Sequence, residues 1–186
     1  MEHQELTAYD RLFQSRPPEP TDNRIIIVGI TEADIQKAQQ YPFSDAVLAN
    51  LIKKIKAQNP RVIGLDLIRD VPEAPGTKEL DRVFKTTPNL IGAGKISSSG
   101  SKQDLEAIDF PPTLKRLHEE QIRQGKDARI ADITVPLDED FITRKTFLHP
   151  VLLENRPDLA AIPGLGALAA RKYLAVQGIA AYPSPT

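Results

Sequence analysis

Three carboxylates follow the two most apolar segments of the chain. Glu32 and Asp34 come directly after the run RIIIVGI at 24–30. Asp66 lies near the end of a second run, RVIGLDLI at 61–68. If both runs are parallel strands of one sheet, their carboxyl ends meet at the same edge, where open α/β sheets bind ligands. Because carboxylate oxygens bind hard cations and polar ligands, we predict a ligand site formed by these three acids.

The same acids also have a structural interpretation. Thr31 and Asp34 are spaced as a capping box, in which each side chain accepts the other residue's backbone N–H at the start of a helix. Asp66 can likewise accept backbone N–H groups of neighbouring loops. Both interpretations stay open from the sequence.

Other patterns that carry chemistry are incomplete. GAGK at 92–95 lacks the earlier glycine and the following Ser or Thr that a phosphate-binding P-loop requires. GLGALA at 164–169 matches the dinucleotide fingerprint by letter, but Pro163 stands where its strand should end. HEEQI at 118–122 lacks the second histidine of a helical zinc pair. We therefore expect no catalytic residue, no resident metal and no cofactor.

Charge and cysteine content narrow the possible functions further. The 186 residues include 24 Lys and Arg against 25 Asp and Glu, so the formal net charge is −1. Nucleic-acid arms and polybasic membrane patches need a strong positive excess, and we expect no nucleic-acid partner. There is no cysteine, which excludes disulfides, thiolate zinc sites and a cysteine nucleophile.

The hydrophobic pattern predicts one α/β domain over residues 1–186, with a mixed, mostly parallel central sheet and helices on both faces. The first two strands form a parallel pair with a right-handed crossover, and the last two form a C-terminal antiparallel hairpin. The predicted strands are 24–30, 61–68, 89–96, 128–135 and 141–148. The predicted helices are 5–15, 32–39, 45–58, one beginning at Thr77, 112–124 and 163–177.

Several stretches, in order, resemble the type-two CHASE domain, an extracytoplasmic sensor family of bacterial membrane receptors. Residues 8–35 resemble the family's opening, with a Y-D-x-x-F-like helix, an R-x-x-P-P-like break and an apolar strand. Residues 41–68 resemble its Pro-aromatic break, amphipathic helix and apolar strand with an embedded Asp. Residues 133–147 resemble its acidic turn and basic strand, and the Leu/Ala-rich stretch 163–178 its last helix.

The match to the family's pattern is uneven. Matching residues are Asp10, Arg16, Asp66, Asp140 and Arg144. Thr31 stands where the family usually has Asp, Ser44 and Asp45 where a basic residue is frequent, and Phe141 where a turn Gly is common.

The resemblance implies a non-catalytic, extracytoplasmic (periplasmic) sensor domain cut from a membrane receptor. Its partners would be a small-molecule or environmental signal, flanking membrane helices, a cytoplasmic output domain and a second copy in a homodimer. Residues 5–15 would connect to the N-terminal membrane helix, and 163–178 would lead back toward the membrane. The alternative from the residues is a small metal-assisted hydrolase or transferase that uses Glu32, Asp34 and Asp66 around a divalent cation.

Overall fold

The computed structural model describes residues 2–95, 108–146, 148 and 162–180. The chain divides into two compact units, Met1–Lys37 and Ala38–Thr186. The polar loop predicted at 97–103 lies outside the described residues. None of the helices in the described ranges has the length and apolar character that crossing a membrane requires.

The first unit contains helix α1 (Glu2–Gln14) and most of helix α2 (Glu32–Ala38). Both confirm predicted helices, and α1 begins three residues earlier than expected. On α1 the rings of Tyr9 and Phe13, one helical turn apart, stack with their centroids 6.3 Å apart. These two side chains are 49% and 58% exposed, so α1 keeps an uncovered apolar face in its own unit.

The strand predicted at 24–30 is wrong. These residues form no strand, and residues 25–28 are between 56% and 89% exposed. A β-branched run favours extended backbone, but a strand also needs a neighbour that pairs with its N–H and C=O groups. The predicted parallel pair of the first two strands is therefore wrong as well.

The second unit contains a three-stranded parallel sheet. Its strands are β1 (Ile63–Leu65), β2 (Leu90–Gly94) and β3 (Ile130–Asp132), in the order β1-β2-β3. Leu65 lies opposite Gly92, and Gly92 lies opposite Ile130. Helix α4 (Thr77–Thr86) joins β1 to β2, and helix α5 (Pro112–Arg123) joins β2 to β3, as parallel pairing requires a crossover.

The predicted C-terminal antiparallel hairpin is also wrong. The segment expected as its first strand contains β3, which pairs parallel to β2, and residues 141–146 form no strand. All three residues of β3 are buried, which is typical of a parallel strand covered on both faces. The following residues form a turn instead, in which the Phe141 N–H donates to the Asp138 carbonyl at 2.9 Å.

Helices cover both faces of the sheet, as predicted. Helix α3 (Asp45–Lys56), α4 and α5 share one buried cluster with the strands, and helix α6 (Leu165–Ala175) packs on the other face. The first cluster includes Leu48, Ile52, Leu80, Val83, Phe84, Leu114, Ile63, Leu65, Leu90 and Ile130. The second includes Leu168, Ile91 and Ala131.

Local capping signals place the helix ends. Ser44 caps α3, where its Oγ accepts the Val47 N–H at 3.4 Å. Gly178 has a φ of +75° after α6, and the Ile179 N–H donates back to the Leu174 carbonyl at 3.2 Å. The left-handed backbone after α6 is the conformation that glycine adopts most easily.

Candidate functional site

Asp34 lies in the first unit, where it caps α2. Its Oδ2 accepts the Thr31 N–H at 2.9 Å and the Thr31 hydroxyl at 2.6 Å. In return, the Thr31 Oγ1 accepts the Asp34 N–H at 3.4 Å. The hydrogen bonds from Thr31 hold the pKa of the Asp34 carboxyl below its usual value. The hydrogen bonds between Thr31 and Asp34 match the capping interpretation of these residues. Glu32 accepts a hydrogen bond from Gln36, one helical turn later, at 3.4 Å.

Asp66 lies in the second unit, directly after β1 at the carboxyl edge of the sheet, as predicted. Its side chain is exposed. The strand that was expected to bring Glu32 and Asp34 to the same edge is not formed. Among the described residues, no group of three His, Asp or Glu side chains is placed to hold a metal ion. The ligand-binding role of Glu32, Asp34 and Asp66 stays a prediction.

A small cavity, lined mainly by apolar surface but also by a few polar side chains, lies in the second unit where three helices begin. Its volume is about 30 Å³. Asp45 and Thr77 are the first residues of α3 and α4, and Thr113 lies in the first turn of α5. Arg69, from the segment after β1, and Asp81, from α4, complete the polar lining. Helix N-termini carry partial positive charge, which suits the buried Asp45 carboxylate.

Hydrogen bonds of Asp45 and its neighbour Ala46 hold residues 73–77, between β1 and the start of α4, against the start of α3. Asp45 Oδ2 accepts the Glu73 N–H at 3.2 Å and the Thr77 hydroxyl at 2.7 Å. Its own N–H donates to the Glu73 carbonyl at 2.7 Å, and the next N–H, of Ala46, donates to the Pro75 carbonyl at 2.8 Å. Four hydrogen bonds therefore fix residues 73–77 against the start of α3.

Two charged atoms in this cavity face each other across a gap. Asp45 Oδ1 and Arg69 Nε are 3.8 Å apart, and the two side chains are 1% and 6% exposed. Neither atom has a hydrogen-bond partner among the described protein atoms. In the sequence, Asp45 stands out only as a departure from a family pattern, and Arg69 is not among the predicted site residues. A carboxylate directly after the N-cap Ser44 marks Asp45 as a residue at a helix start, but no local signal pairs it with Arg69.

Arg144 forms a second cluster, in the turn after β3. Its guanidinium donates to Asp138 Oδ2 at 3.1 Å and to both oxygens of Asp140 at 2.9 and 2.7 Å. The Arg144 side chain is 5% exposed. The hydrogen bond from Arg144 lowers the pKa of Asp140 to about 2. The cluster holds together the turn that replaces the predicted hairpin.

Arg129 is a buried cation that serves the fold. Its Nη2 donates to the carbonyls of Phe84 and Thr87, each at 2.8 Å, and its Nε donates to the Leu90 carbonyl at 3.2 Å. Burial lowers the pKa of the Arg129 guanidinium to about 10. Its backbone N–H donates to His118 Nδ1 at 3.3 Å, and burial also lowers the pKa of His118. The contacts of the Arg129 guanidinium satisfy backbone carbonyl groups at the carboxyl end of α4 and at the start of β2.

A family model, the CHASE2 domain, matches residues 1–184. The chain belongs to the CHASE2 domain family. This confirms the resemblance found in the sequence. CHASE2 domains are sensory domains of larger receptors and are generally non-catalytic. No curated protein and no solved structure matches the chain.

The CHASE2 pattern residues have clear structural places. Asp140 and Arg144 form the ion pair described above, and Asp66 stands at the carboxyl edge of the sheet. Arg16 lies over the Phe13 ring, 5.5 Å from its centroid, and pairs with Glu19. Phe141, at the position of a common turn glycine, has a φ of +62°, so the backbone keeps a glycine-like conformation there with a different residue.

Proposed function

We propose that this CHASE2 domain is the extracytoplasmic, non-catalytic input domain of a bacterial membrane-bound signal transduction receptor. The observation that carries the proposal is the family match over residues 1–184, nearly the whole chain. The proposed partners are a small-molecule or environmental signal, the membrane helices and a cytoplasmic output domain.

A signal acts on such a domain through its relative affinity for two conformations. A ligand can shift the equilibrium only by the difference between its binding free energies to the two states. Each tenfold ratio of affinities supplies ~1.4 kcal/mol. We propose α1 and α6 as the elements that carry the shift toward the membrane. With 13 residues, α1 spans ~20 Å at 1.5 Å per residue.

The exposed apolar side chains of α1 support a role in contacts with another chain. Leu12 and Phe13 are 71% and 58% exposed. We propose that the receptor acts as a homodimer, the commonest symmetric assembly. Sedimentation equilibrium of the membrane-extracted receptor should give twice the protomer mass, and Leu12→Gln should lower the dimer fraction. A monomer at all concentrations contradicts this part of the proposal.

Glu32, Asp34 and Asp66 remain the proposed ligand contacts. The test is a receptor in which this chain replaces the input domain of a histidine kinase with a transcriptional reporter. Reporter output is measured against a panel of extracellular solutes. Glu32→Gln and Asp66→Asn should abolish the response to the active solute, whereas Glu120→Gln, an exposed acid on α5, should leave it unchanged. Variants that respond like the parent receptor would remove these acids from the site.

The same chain can be tested for chemistry directly. Calorimetric titration with magnesium, manganese and calcium should give no heat of binding at millimolar metal. Metal binding together with hydrolysis of a phosphate or carboxylic ester would favour a metal-assisted hydrolase over the proposed sensor.

A further inference from the structure

The buried pair Asp45 and Arg69 is the starting point for one more assignment. Buried polar atoms in folded proteins nearly always have a hydrogen-bond partner. Asp45 Oδ1 and Arg69 Nε have none among the described protein atoms. Their separation of 3.8 Å is too long for a direct hydrogen bond. Since both side chains are at least nine-tenths buried, bulk solvent does not replace the missing partner.

The cavity beside the pair has the size of a water site, and its mostly apolar wall contains a donor and an acceptor that lack partners. Its volume is about 30 Å³, and a single water needs at least ~10–15 Å³ of such space and two to four polar partners. Arg69 Nε supplies a donor, and Asp45 Oδ1 supplies an acceptor. The Thr77 hydroxyl donates to Asp45 Oδ2, so its lone pairs can accept a second proton from the same water.

Charge and size exclude other occupants. The carboxylates of Asp45 and Asp81 repel an anion, and among the described residues no group of three acidic or histidine side chains is placed to hold a metal ion. Pockets that bind metabolites have volumes of ~300–1,000 Å³, at least about ten times the volume of this cavity. A small neutral molecule that both donates and accepts hydrogen bonds fits these limits.

We propose that this cavity is a binding site for an internal water molecule that bridges the ion pair. The water accepts the Arg69 Nε–H and donates to Asp45 Oδ1. Asp45 also accepts hydrogen bonds from Glu73 and Thr77. The water therefore connects Arg69, which follows β1, with the first residues of α3 and α4. The ion pair between these residues is thereby a hydrated one.

Two measurements on the whole chain test this assignment. A crystal structure at about 1.5 Å should show a water within ~2.7–3.2 Å of both atoms. Water oxygen-17 relaxation dispersion counts long-lived internal waters in solution, and Arg69→Met should lower that count by one. Arg82→Met, at an arginine whose side chain is 73% exposed, is the matched control and should leave the count unchanged.

Several results would overturn the assignment. One is a direct contact of less than 3.2 Å between Arg69 Nε and Asp45 Oδ1 in the crystal, and another is a gap without density. A third is an Arg69→Met protein with the same count of long-lived waters as the parent. If Arg69→Met does not fold, the density between the two atoms in the parent protein decides alone.

Discussion

Gly76→Ala should destabilise the second unit strongly, because the backbone at Gly76 leaves no space for a side chain. Its φ is +108°, a conformation that residues with a Cβ rarely adopt. A Cβ built there lies 2.3 Å from the Ala46 nitrogen and 2.5 Å from the Ala46 Cα. These are backbone atoms of α3, and no rotation of a side chain relieves the contact.

The expected cost has two parts. Left-handed backbone costs a residue with a Cβ ~1–2 kcal/mol relative to glycine. Relief of the clash requires residues 73–77 to move from α3, which breaks the hydrogen bond from the Ala46 N–H to the Pro75 carbonyl, 2.8 Å long. Ala46 and Pro75 are exposed, so water can replace the lost partner and the broken hydrogen bond costs a further ~0.5–1.5 kcal/mol. The free energy of unfolding should therefore fall by ~1.5–3.5 kcal/mol, a large share of the ~5–15 kcal/mol typical of a domain.

Urea unfolding followed by far-ultraviolet circular dichroism measures this cost as a lower midpoint with an unchanged slope. Gly125→Ala is the matched control, since Gly125 has a φ of +68° but no heavy atom within 4 Å of a built Cβ. The free energy of unfolding of Gly125→Ala should fall only by the cost of left-handed backbone, ~1–2 kcal/mol. Gly166→Ala, in α6 with open space around it, should be neutral or slightly stabilising. If Gly76→Ala loses no more than Gly125→Ala, the close packing of residues 73–77 on α3 is refuted.

Three other perturbations follow from single contacts. Burial lowers the pKa of folded His118 below its ordinary 6.5, so unfolded chains bind more protons and stability should fall as the pH drops through 6.5, by at most ~1.4 kcal/mol per pH unit. His118→Asn, which can still accept the Arg129 N–H, should flatten this slope. Phe141→Gly should raise the free energy of unfolding by ~0.5–1 kcal/mol. A φ of +62° strains a residue with a Cβ by ~1–2 kcal/mol, but glycine loses more conformational entropy on folding, which offsets part of this gain. Leu114→Ala should cost ~2–5 kcal/mol, because Leu114 is 0% exposed in the core.

Each of these has its own check. Urea midpoints between pH 5.5 and 7.5 compare the parent with His118→Asn, and equal slopes would contradict a buried neutral histidine. Neighbouring Glu119 raises and Lys172 lowers the His118 pKa, so the slopes are compared at one ionic strength. Phe141→Ala serves as the control for Phe141→Gly, and no gain of glycine over alanine would contradict the backbone strain. For Leu114→Ala the control is Ile122→Ala, on the same helix and 44% exposed, and equal losses would contradict the described core.

Elements with strong local signals could be predicted from the sequence. The helices predicted at 45–58, 112–124 and 163–177 correspond to α3, α5 and α6. The helix predicted to begin at Thr77 is α4, and its regularly spaced Leu80, Val83 and Phe84 are all buried. Capping and helical periodicity depend on residues within a few positions of each other, so a single sequence contains them.

Elements that depend on distant pairing could not be predicted. Residues 24–30 have the composition of a buried strand, but whether a partner strand pairs with them is decided by the rest of the fold. The segment around β3 was assigned to a hairpin because a second apolar run follows it closely. In the structure, β3 pairs with β2 instead, across more than thirty residues of chain.

The candidate site shows the same division. Asp66 was placed correctly at a strand end, because the strand and the acid are adjacent in sequence. Asp45 and Arg69 meet only because residues 73–77 fold back onto α3, and no local pattern encodes that contact. Sequence patterns therefore located single residues but not the pairs that the fold brings together.

The side of the membrane on which this CHASE2 domain lies tests the proposed function most directly. The chain contains no cysteine, so Glu120→Cys introduces a single exposed thiol on α5. The protein is expressed from its own full coding sequence in intact cells, with cysteines outside the chain replaced by serine, and treated with a membrane-impermeant maleimide. Ala49→Cys, at a position 1% exposed, is the buried control and should stay unlabelled until the protein is denatured. An extracytoplasmic sensor predicts that Glu120→Cys in the membrane fraction is labelled before lysis, whereas labelling only after lysis, or recovery outside the membrane fraction, would contradict it.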